Sequence, residues 1–483
     1  MKNIRRITLL CLFGAFVLAS CTPSASKDSA SSGKNASSAT WSGDTVVYEV
    51  NPATWSSSMV IYEVNVRQFT PEGTFKAFQE HITRLKELGV GILWFMPISP
   101  IGKVDRKGTL GSYYSVSDYT VVNPEFGTVE DFKSVVDEAH RLGMKVLIDW
   151  VANHTSRDHA WIKEHPDWYR WDKKGESPIG PYDWSDAAQL NYESKDMQKA
   201  MVESMKFWLT DVDIDGFRCD VAGLARDYVT EEQALEFWEY ARQELDKVKP
   251  VFMLAEDEGL RALTSKAFDA NYSWELHHIM NQIAQGEGKL KDLRSYFERE
   301  SKNFPRKVYR MQFTSNHDEN SWNGTEFMRM GDAAKMFAVF TYVVPGFPLI
   351  YSGQEVGNRR CLEFFEKDVV DWTDRKEYTP FYKTLNSLKT DYSALWNGVS
   401  GADVQWVENS EPKKVLSFVR EDENGKVFCV FNLAKEVVKN VELEGNTYYG
   451  DYVELFSNMP VSFSATPNFI LNPWEYRVYT SKK

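Results

Sequence analysis

Val60-Ile61-Tyr62-Glu63-Val64 opens the stretch that decides the fold: residues 75–88 follow with helical periodicity, then the apolar run 91–96, the helical pattern 129–142, and the apolar run 145–150. Short apolar runs alternating with helical patterns imply βαβ units and a parallel sheet. The series continues with strand-like runs at 215–218, 250–255, 267–272, 310–314 and 347–351, which brings the strand count to eight. Eight parallel strands predict a closed (β/α)8 TIM barrel. An open doubly wound sheet would carry a glycine-rich phosphate turn after its first strand, and Glu63-Val64-Asn65-Val66-Arg67 contains no glycine.

Chemistry in such barrels sits at the C-terminal ends of the strands, so the acidic residues there are the candidates. Asp149 ends the third strand, Asp220 the fourth and Glu256 follows the fifth, while Asp318 lies just after the seventh. Asp220 and Glu256 are 36 residues apart and Glu256 and Asp318 62 apart, which fits one and two units of roughly 31 residues each. Asp149 and Asp220 are 71 apart, one unit too many, which predicts an insertion after the third strand at about 156–190. That segment holds Trp161, Trp168, Tyr169, Trp171, Tyr182 and Trp184. These rings are either a wall for a sugar cleft or the packed interior of the insertion.

The rest of the chain sets the context. The 483 residues are 43% hydrophobic and 26% charged, the composition of a globular protein and not of a low-complexity chain. A net charge of −13 leaves no basic footprint for nucleic acid. Lys2, Arg5 and Arg6 precede the apolar run 7–17 and then Leu18-Ala19-Ser20-Cys21, the layout of an export signal. This ending resembles a bacterial lipoprotein signal, in which Cys21 is lipidated and becomes the mature N-terminus. Thr22 at the next position favours the outer membrane by the same resemblance. Residues 22–58 read as a tether poor in bulky apolar residues, with a short duplication in which Val46-Val47-Tyr48-Glu49-Val50-Asn51 recurs as Val60-Ile61-Tyr62-Glu63-Val64-Asn65. The second copy is taken as the first core strand. Cys219, Cys361 and Cys429 have no paired framework and read as buried thiols.

Beyond a helix ending near residue 391 the chain turns to short strand-like runs at 403–407, 414–420, 426–432, 437–443 and 475–479, which predict an antiparallel β-sandwich covering the barrel. The expected organisation is a signal at 1–21, a tether at 22–58, a barrel at 59–392 with its insertion at 155–191, and a sandwich at 393–483.

Four stretches carry a family resemblance: Asp149-Trp150-Val151-Ala152-Asn153-His154, Gly216-Phe217-Arg218-Cys219-Asp220, Leu254-Ala255-Glu256 and Phe313-Thr314-Ser315-Asn316-His317-Asp318. In this order and on these strands they resemble the motifs of the α-amylase family of glycoside hydrolases. The resemblance spans about residues 60–391. It implies that Asp220 is a nucleophile, Glu256 a general acid/base and Asp318 a stabiliser of an oxocarbenium-like transition state in a retaining enzyme. It also implies that His154 and His317 bind sugar hydroxyls, that Tyr114 stacks on the ring at the cleaved bond, and that Asp149 has a structural role. Arg218, two residues before Asp220 on the same strand face, is expected to hold that carboxylate ionised. Glu256 follows an apolar run, whose desolvation is expected to raise its pKa towards that of a neutral-pH acid. Glu355 is expected to anchor a loop.

The implied substrate is an α-glucan or malto-oligosaccharide, with mainly α-1,4 bonds cleaved. A transglycosylase and a non-catalytic glycan-binding relative are the alternatives, although such a relative would be expected to lack one of the three carboxylates. The pattern departs from the family at Leu224, where many members carry a histidine whose backbone helps bind calcium beside the asparagine matched by Asn153. No cofactor is therefore required by the sequence. If calcium binds, Asn153 would be its ligand, with the Leu224 carbonyl and Asp183 or Asp186.

Overall fold

The computed structural model describes residues 54–259, 261–304, 308–373 and 376–483. The signal, Cys21 and the first copy of the duplication lie outside the described residues.

Eight strands close into a parallel barrel: β1 (Ile61–Val64), β2 (Ile92–Phe95), β3 (Lys145–Val151), β4 (Gly216–Asp220), β5 (Phe252–Ala255), β6 (Ala270–Tyr272), β7 (Tyr309–Gln312) and β8 (Phe347–Tyr351). Each strand pairs with its sequence neighbours, and β1 completes the ring by pairing Ile61 with both Ile92 and Leu349. All eight predicted strands are present, and β1 comes from the second copy of the duplicated segment.

Alternation along the strands sorts the side chains into two layers. Ile61, Trp94, Leu147, Leu254, Tyr272, Met311 and Leu349 fill the barrel interior. Phe95, Ile148, Phe217, Cys219 and Met253 turn outward to the helices. Gly216 is required by close approach, because a Cβ there would collide with the Phe252 carbonyl of β5. The helices begin where the sequence supplies caps. Thr128 and Asp131 form a capping box ahead of Val129–Arg141, and Thr230 and Gln233 form another ahead of Glu231–Asp246. Phe132, Val135, Val136 and Ala139 then fall on one face of the first of these and are buried.

Between β3 and the helix Lys195–Thr210 lies the insertion, closed at its base by an antiparallel ladder of His154–Ser156 with Ala187–Gln189.

Eight further strands follow the barrel: β9 (Gln405–Trp406), β10 (Val415–Glu421), β11 (Gly425–Asn432), β12 (Val438–Glu442), β13 (Gly450–Glu454), β14 (Pro460–Phe463), β15 (Asn468–Leu471) and β16 (Tyr476–Lys482). They form a six-stranded sheet of order β9-β10-β11-β16-β13-β14 and a two-stranded sheet β12-β15. β10 and β11 are apolar on both faces because both are covered. Leu416, Phe418, Val427 and Phe431 belong to the core shared with the barrel helices, with the Phe431 ring 5.5 Å from that of Phe340. Val415, Val419, Phe428 and Val430 face Val438, Val441, Phe469 and Leu471 of the small sheet.

Of the cysteines, Cys219 and Cys429 are buried thiols, whereas Cys361 is exposed. It lies in the loop after β8, with its sulfur 3.6 Å from that of Met328. A connection at the barrel mouth does not bury a side chain as a strand position does.

Candidate active site

Arg218 is the hub of the barrel mouth. Its side chain is fully buried and its two terminal nitrogens are divided among three carboxylates. Nη1 donates to Asp149 Oδ1 at 2.9 Å and Asp220 Oδ1 at 3.2 Å, and Nη2 lies 2.9 Å from Glu256 Oε1. Nε donates to the Tyr272 hydroxyl at 3.1 Å. Arg218 and Asp220 share the inward face of β4, and Glu256 stands one residue past β5. Asp318 stands at the start of the π-helical turn Glu319–Asn323. That turn is pinned by Glu319, whose carboxylate lies 3.2 Å from His277 Nε2 and 3.4 Å from Arg329 Nε. The structure therefore brings Asp149, Arg218, Asp220, Glu256 and Asp318 together.

The surroundings of Asp220 and Glu256 correct two expectations. Arg218 does not simply hold Asp220 ionised, because one cation serves three anions. Burial raises the Asp220 pKa well above the ordinary carboxylate range, Glu256 reinforces the rise, and Arg218 opposes it. Glu256 is also not in an apolar pocket. The apolar run lies within the strand, while the carboxylate itself sits on Arg218 and accepts the Val221 N–H at 2.9 Å. Burial likewise raises Asp318, and raises Asp149 to about 6. Asp149, Asp220 and Asp318 are thus all raised by burial, and one guanidinium and one imidazolium oppose the rise.

The imidazolium is His317. Its Nδ1 meets Glu63, and its Nε2 lies 2.7 Å from the Tyr114 hydroxyl and 3.3 Å from Asp318 Oδ2. That hydroxyl donates to Asp149 Oδ2 at 3.0 Å, so both ring nitrogens of His317 face acceptors and both carry protons. Burial opposes the charged ring, but Asp318 and Glu63 outweigh it and raise the His317 pKa to about 9. The Tyr114 ring stacks on that of His317 with centroids 5.5 Å apart.

His154 stands apart in protonation. Its Nδ1 accepts from Asn153 Nδ2 at 3.2 Å, and burial lowers its pKa to about 4, which keeps it neutral. The insertion's aromatic residues fall into two groups. Trp161, Trp168 and Tyr169 pack into the lobe, with the two tryptophan rings 5.0 Å apart. Tyr182 is exposed, and the Trp184 ring lies 5.2 Å from that of His154.

The residues named for calcium do not fit it. Asn153 Oδ1 accepts the Ala225 N–H at 2.8 Å and Gln189 Nε2 at 3.3 Å. Leu224 is left-handed, with φ of 55°, which turns the Leu224–Ala225 peptide so that its N–H, and not its carbonyl, faces Asn153. Asp186 is buried against Lys107 Nζ at 3.2 Å, and Asp183 is exposed. Protein donors thus occupy Asn153 Oδ1 and Asp186 Oδ1, two of the oxygens that a cation would need.

Glu63, Trp94 and Tyr272 were not singled out from the sequence. A lone acid inside the apolar strand 60–64 was the available signal for Glu63, since it shares the inward face with Ile61. Glu355 accepts from Tyr62 at 2.7 Å, Arg84 at 3.1 Å and the Gly353 N–H at 3.0 Å, which makes it an anchor between β1 and the loop after β8.

A parallel barrel with carboxylates gathered on one arginine at the C-terminal ends of its strands has the architecture of a glycoside hydrolase. The model of the alpha-amylase catalytic domain matches residues 27–394, and that of the maltogenic amylase C-terminal domain matches residues 404–478. The chain belongs to the alpha-amylase family. It is 26% identical over 410 residues to an alpha-amylase of Haloarcula japonica, covering 82% of this chain and 56% of that one. It is 25% identical over 387 residues to a probable oligo-1,6-glucosidase 2 of Bacillus subtilis, covering 66% of each. The chain thus spans less than two thirds of the length of these two curated relatives. The crystal structure of a noncanonic maltogenic alpha-amylase from Thermotoga neapolitana superposes with a TM-score of 0.79 at 27% identity, covering 88% of this chain and 99% of that one.

Proposed function

We propose that this protein is a retaining hydrolase of α-glucosidic bonds, mainly α-1,4, in starch-like glucans or malto-oligosaccharides. The observation that carries the reading is the Arg218 bridge. It holds Asp220 and Glu256 on adjacent nitrogens of one guanidinium, a spacing suited to the roughly 5–5.5 Å of retaining enzymes rather than the wider gap that admits a water. Asp220 attacks the anomeric carbon while Glu256 gives a proton to the glycosidic oxygen, leaving a glycosyl ester on Asp220. Water, deprotonated by Glu256, then cleaves the ester and frees Asp220. Asp318, held beside His317, faces the sugar as positive charge develops on it, and Tyr114 offers its ring as a platform. A sugar acceptor in place of water would give transglycosylation by the same steps. The names of the relatives and the match to a maltogenic amylase C-terminal domain support an α-glucan substrate.

Digestion of maltoheptaose, amylose, pullulan and isomaltose, with NMR of the first product, tests the reading. Release of the α-anomer from α-1,4 substrates is expected, and Asp220→Asn should lose several orders of magnitude in turnover. First release of the β-anomer, or a variant keeping more than a tenth of the activity, would overturn it. Export and lipid anchoring at Cys21, facing the periplasm or the outside from an outer membrane, form part of the proposal and rest on the first 22 residues alone.

A further inference from the structure

We infer, resting on the hydrolase reading above, that Glu63 in the middle of β1 is a positioning residue of the reaction. It grips Nδ1 of His317 and so fixes that ring as a cation whose Nε2–H is turned to Tyr114 and Asp318.

Strand alternation puts Glu63 inside the barrel. Ile61 and Glu63 share the inward face of β1, while Tyr62 and Val64 turn outward to the helices. Glu63 stands level with Trp94 of β2 and Tyr351 of β8. Its carbonyl accepts the N–H of Ser352 at 3.1 Å and the Ser352 hydroxyl at 2.7 Å. The backbone under the carboxylate is thus tied to the strands on both sides. A carboxylate buried this deeply costs free energy unless a cation or a donor meets it. His317 Nδ1 meets Oε1, and Oε2 has no hydrogen-bond partner among the described residues. The side chain therefore has one polar task, and that task is His317.

The ring is held on its other sides as well. Nε2 lies 2.7 Å from the Tyr114 hydroxyl and 3.3 Å from Asp318 Oδ2, and that hydroxyl donates to Asp149. Tyr114 stacks on the ring, and Trp94 stands edge-on to it with centroids 6.0 Å apart. The bond made by one imidazole nitrogen decides where the proton of the other can go. With Glu63 on Nδ1, the proton that leaves first is the one on Nε2. Its loss would turn Nε2 into an acceptor, which competes with Asp149 for the Tyr114 hydroxyl and takes the cation away from Asp318. The charged and titratable groups that face His317 are Glu63 from β1, Asp149 from β3, Arg218 from β4, and Tyr114 and Asp318 from the loops. Glu63 also faces the hydroxyls of Tyr272 and Tyr351. Burial and Arg218 oppose the charge of the ring, while Asp318 and Glu63 support it. Solvent screens the first of these two supports, because the Asp318 side chain is 36% exposed, whereas that of Glu63 is 0% exposed. Glu63 is thus the anion that keeps its hold on the ring in the open cleft.

Glu63→Gln separates charge from shape, since the amide keeps the volume and an acceptor oxygen for Nδ1. The alkaline limb of kcat/KM for maltotetraose, which reports a proton lost from the free enzyme, should move to lower pH by roughly one to three units. Glu63→Asp, which keeps the charge on a shorter side chain, should displace the limb less than Glu63→Gln does. With 15N-labelled histidine, and the His317 signals assigned by their loss in His317→Gln, both ring nitrogens of the wild type should be protonated at pH 7. The titration midpoint of the ring in Glu63→Gln should fall together with the limb. An unmoved limb and midpoint in that variant, or equal displacement by Gln and Asp, would overturn the assignment. If Glu63→Gln does not fold, the wild-type spectrum decides, and a His317 ring with one bare nitrogen at pH 7 would overturn it. Failure of the wild type to cleave any glucan would instead strike the hydrolase reading, and the spectrum would still test the grip of Glu63 on His317.

Discussion

At the scale of single residues, Arg218 and His317 are the two cations that let a crowd of carboxylates share one buried site. His317 makes the clearer prediction, because its pKa of about 9 lies above the ordinary 6.5. A group raised on folding stabilises fully below its unfolded pKa, and that stabilisation is lost as pH rises through the folded value. Unfolding free energy should therefore decline between about pH 6.5 and pH 9, by on the order of 3 kcal/mol if this group acts alone. Urea denaturation across that window, repeated for His317→Gln, measures it. The variant should lose most of the slope, and an identical slope in both proteins would show that His317 is not the titrating group. Asp220, Glu256 and Asp318 could be read from strand ends and motif order. The bond from His317 to Glu63 could not, because it joins residues 254 positions apart, and only barrel closure brings them together. The sequence also could not reveal that one guanidinium serves three acids, Asp149, Asp220 and Glu256.

At the scale of elements, the loop after β4 and the base of the insertion are tied by Asn153. The spacing of acidic residues located the insertion. The strands β13, β14 and β15 were missed, since short strands such as Pro460–Phe463 and Asn468–Leu471 alternate exposed and buried residues without a long apolar run. The peptide orientation at Leu224 was equally hidden, because φ is set by the packing of the loop under Glu256. It carries a prediction about metal. A calcium ion held at a hundredfold excess over its Kd would add about 2.7 kcal/mol, several degrees in melting temperature for a chain of this size. With the Ala225 N–H on Asn153 Oδ1, the melting temperature should instead be the same in EDTA and in millimolar calcium, to within about 2 °C. A calcium-dependent rise of ten degrees or more, lost in Asn153→Ala, would restore the ion to this site.

At the scale of the whole molecule, the C-terminal sheets continue the barrel's hydrophobic core through Phe418, Val427 and Phe431 and therefore stabilise the scaffold under the catalytic end. No helix among the described residues is long and apolar enough to cross a membrane; attachment is proposed through Cys21. In cells fed labelled palmitate the wild type should take up label and Cys21→Ala should not, and equal labelling would remove the anchor from the account. The central claim is that Asp220 forms a covalent bond to the sugar while Glu256 moves the proton. Its most direct test is to incubate the enzyme with 5-fluoro-α-glucosyl fluoride, which slows breakdown of the glycosyl ester, and to map the modified peptide by mass spectrometry. The account predicts one fluoroglucosyl adduct per chain, on Asp220; an adduct on Glu256 or Asp318, or substrate turnover with no adduct and a β-configured product, would contradict it.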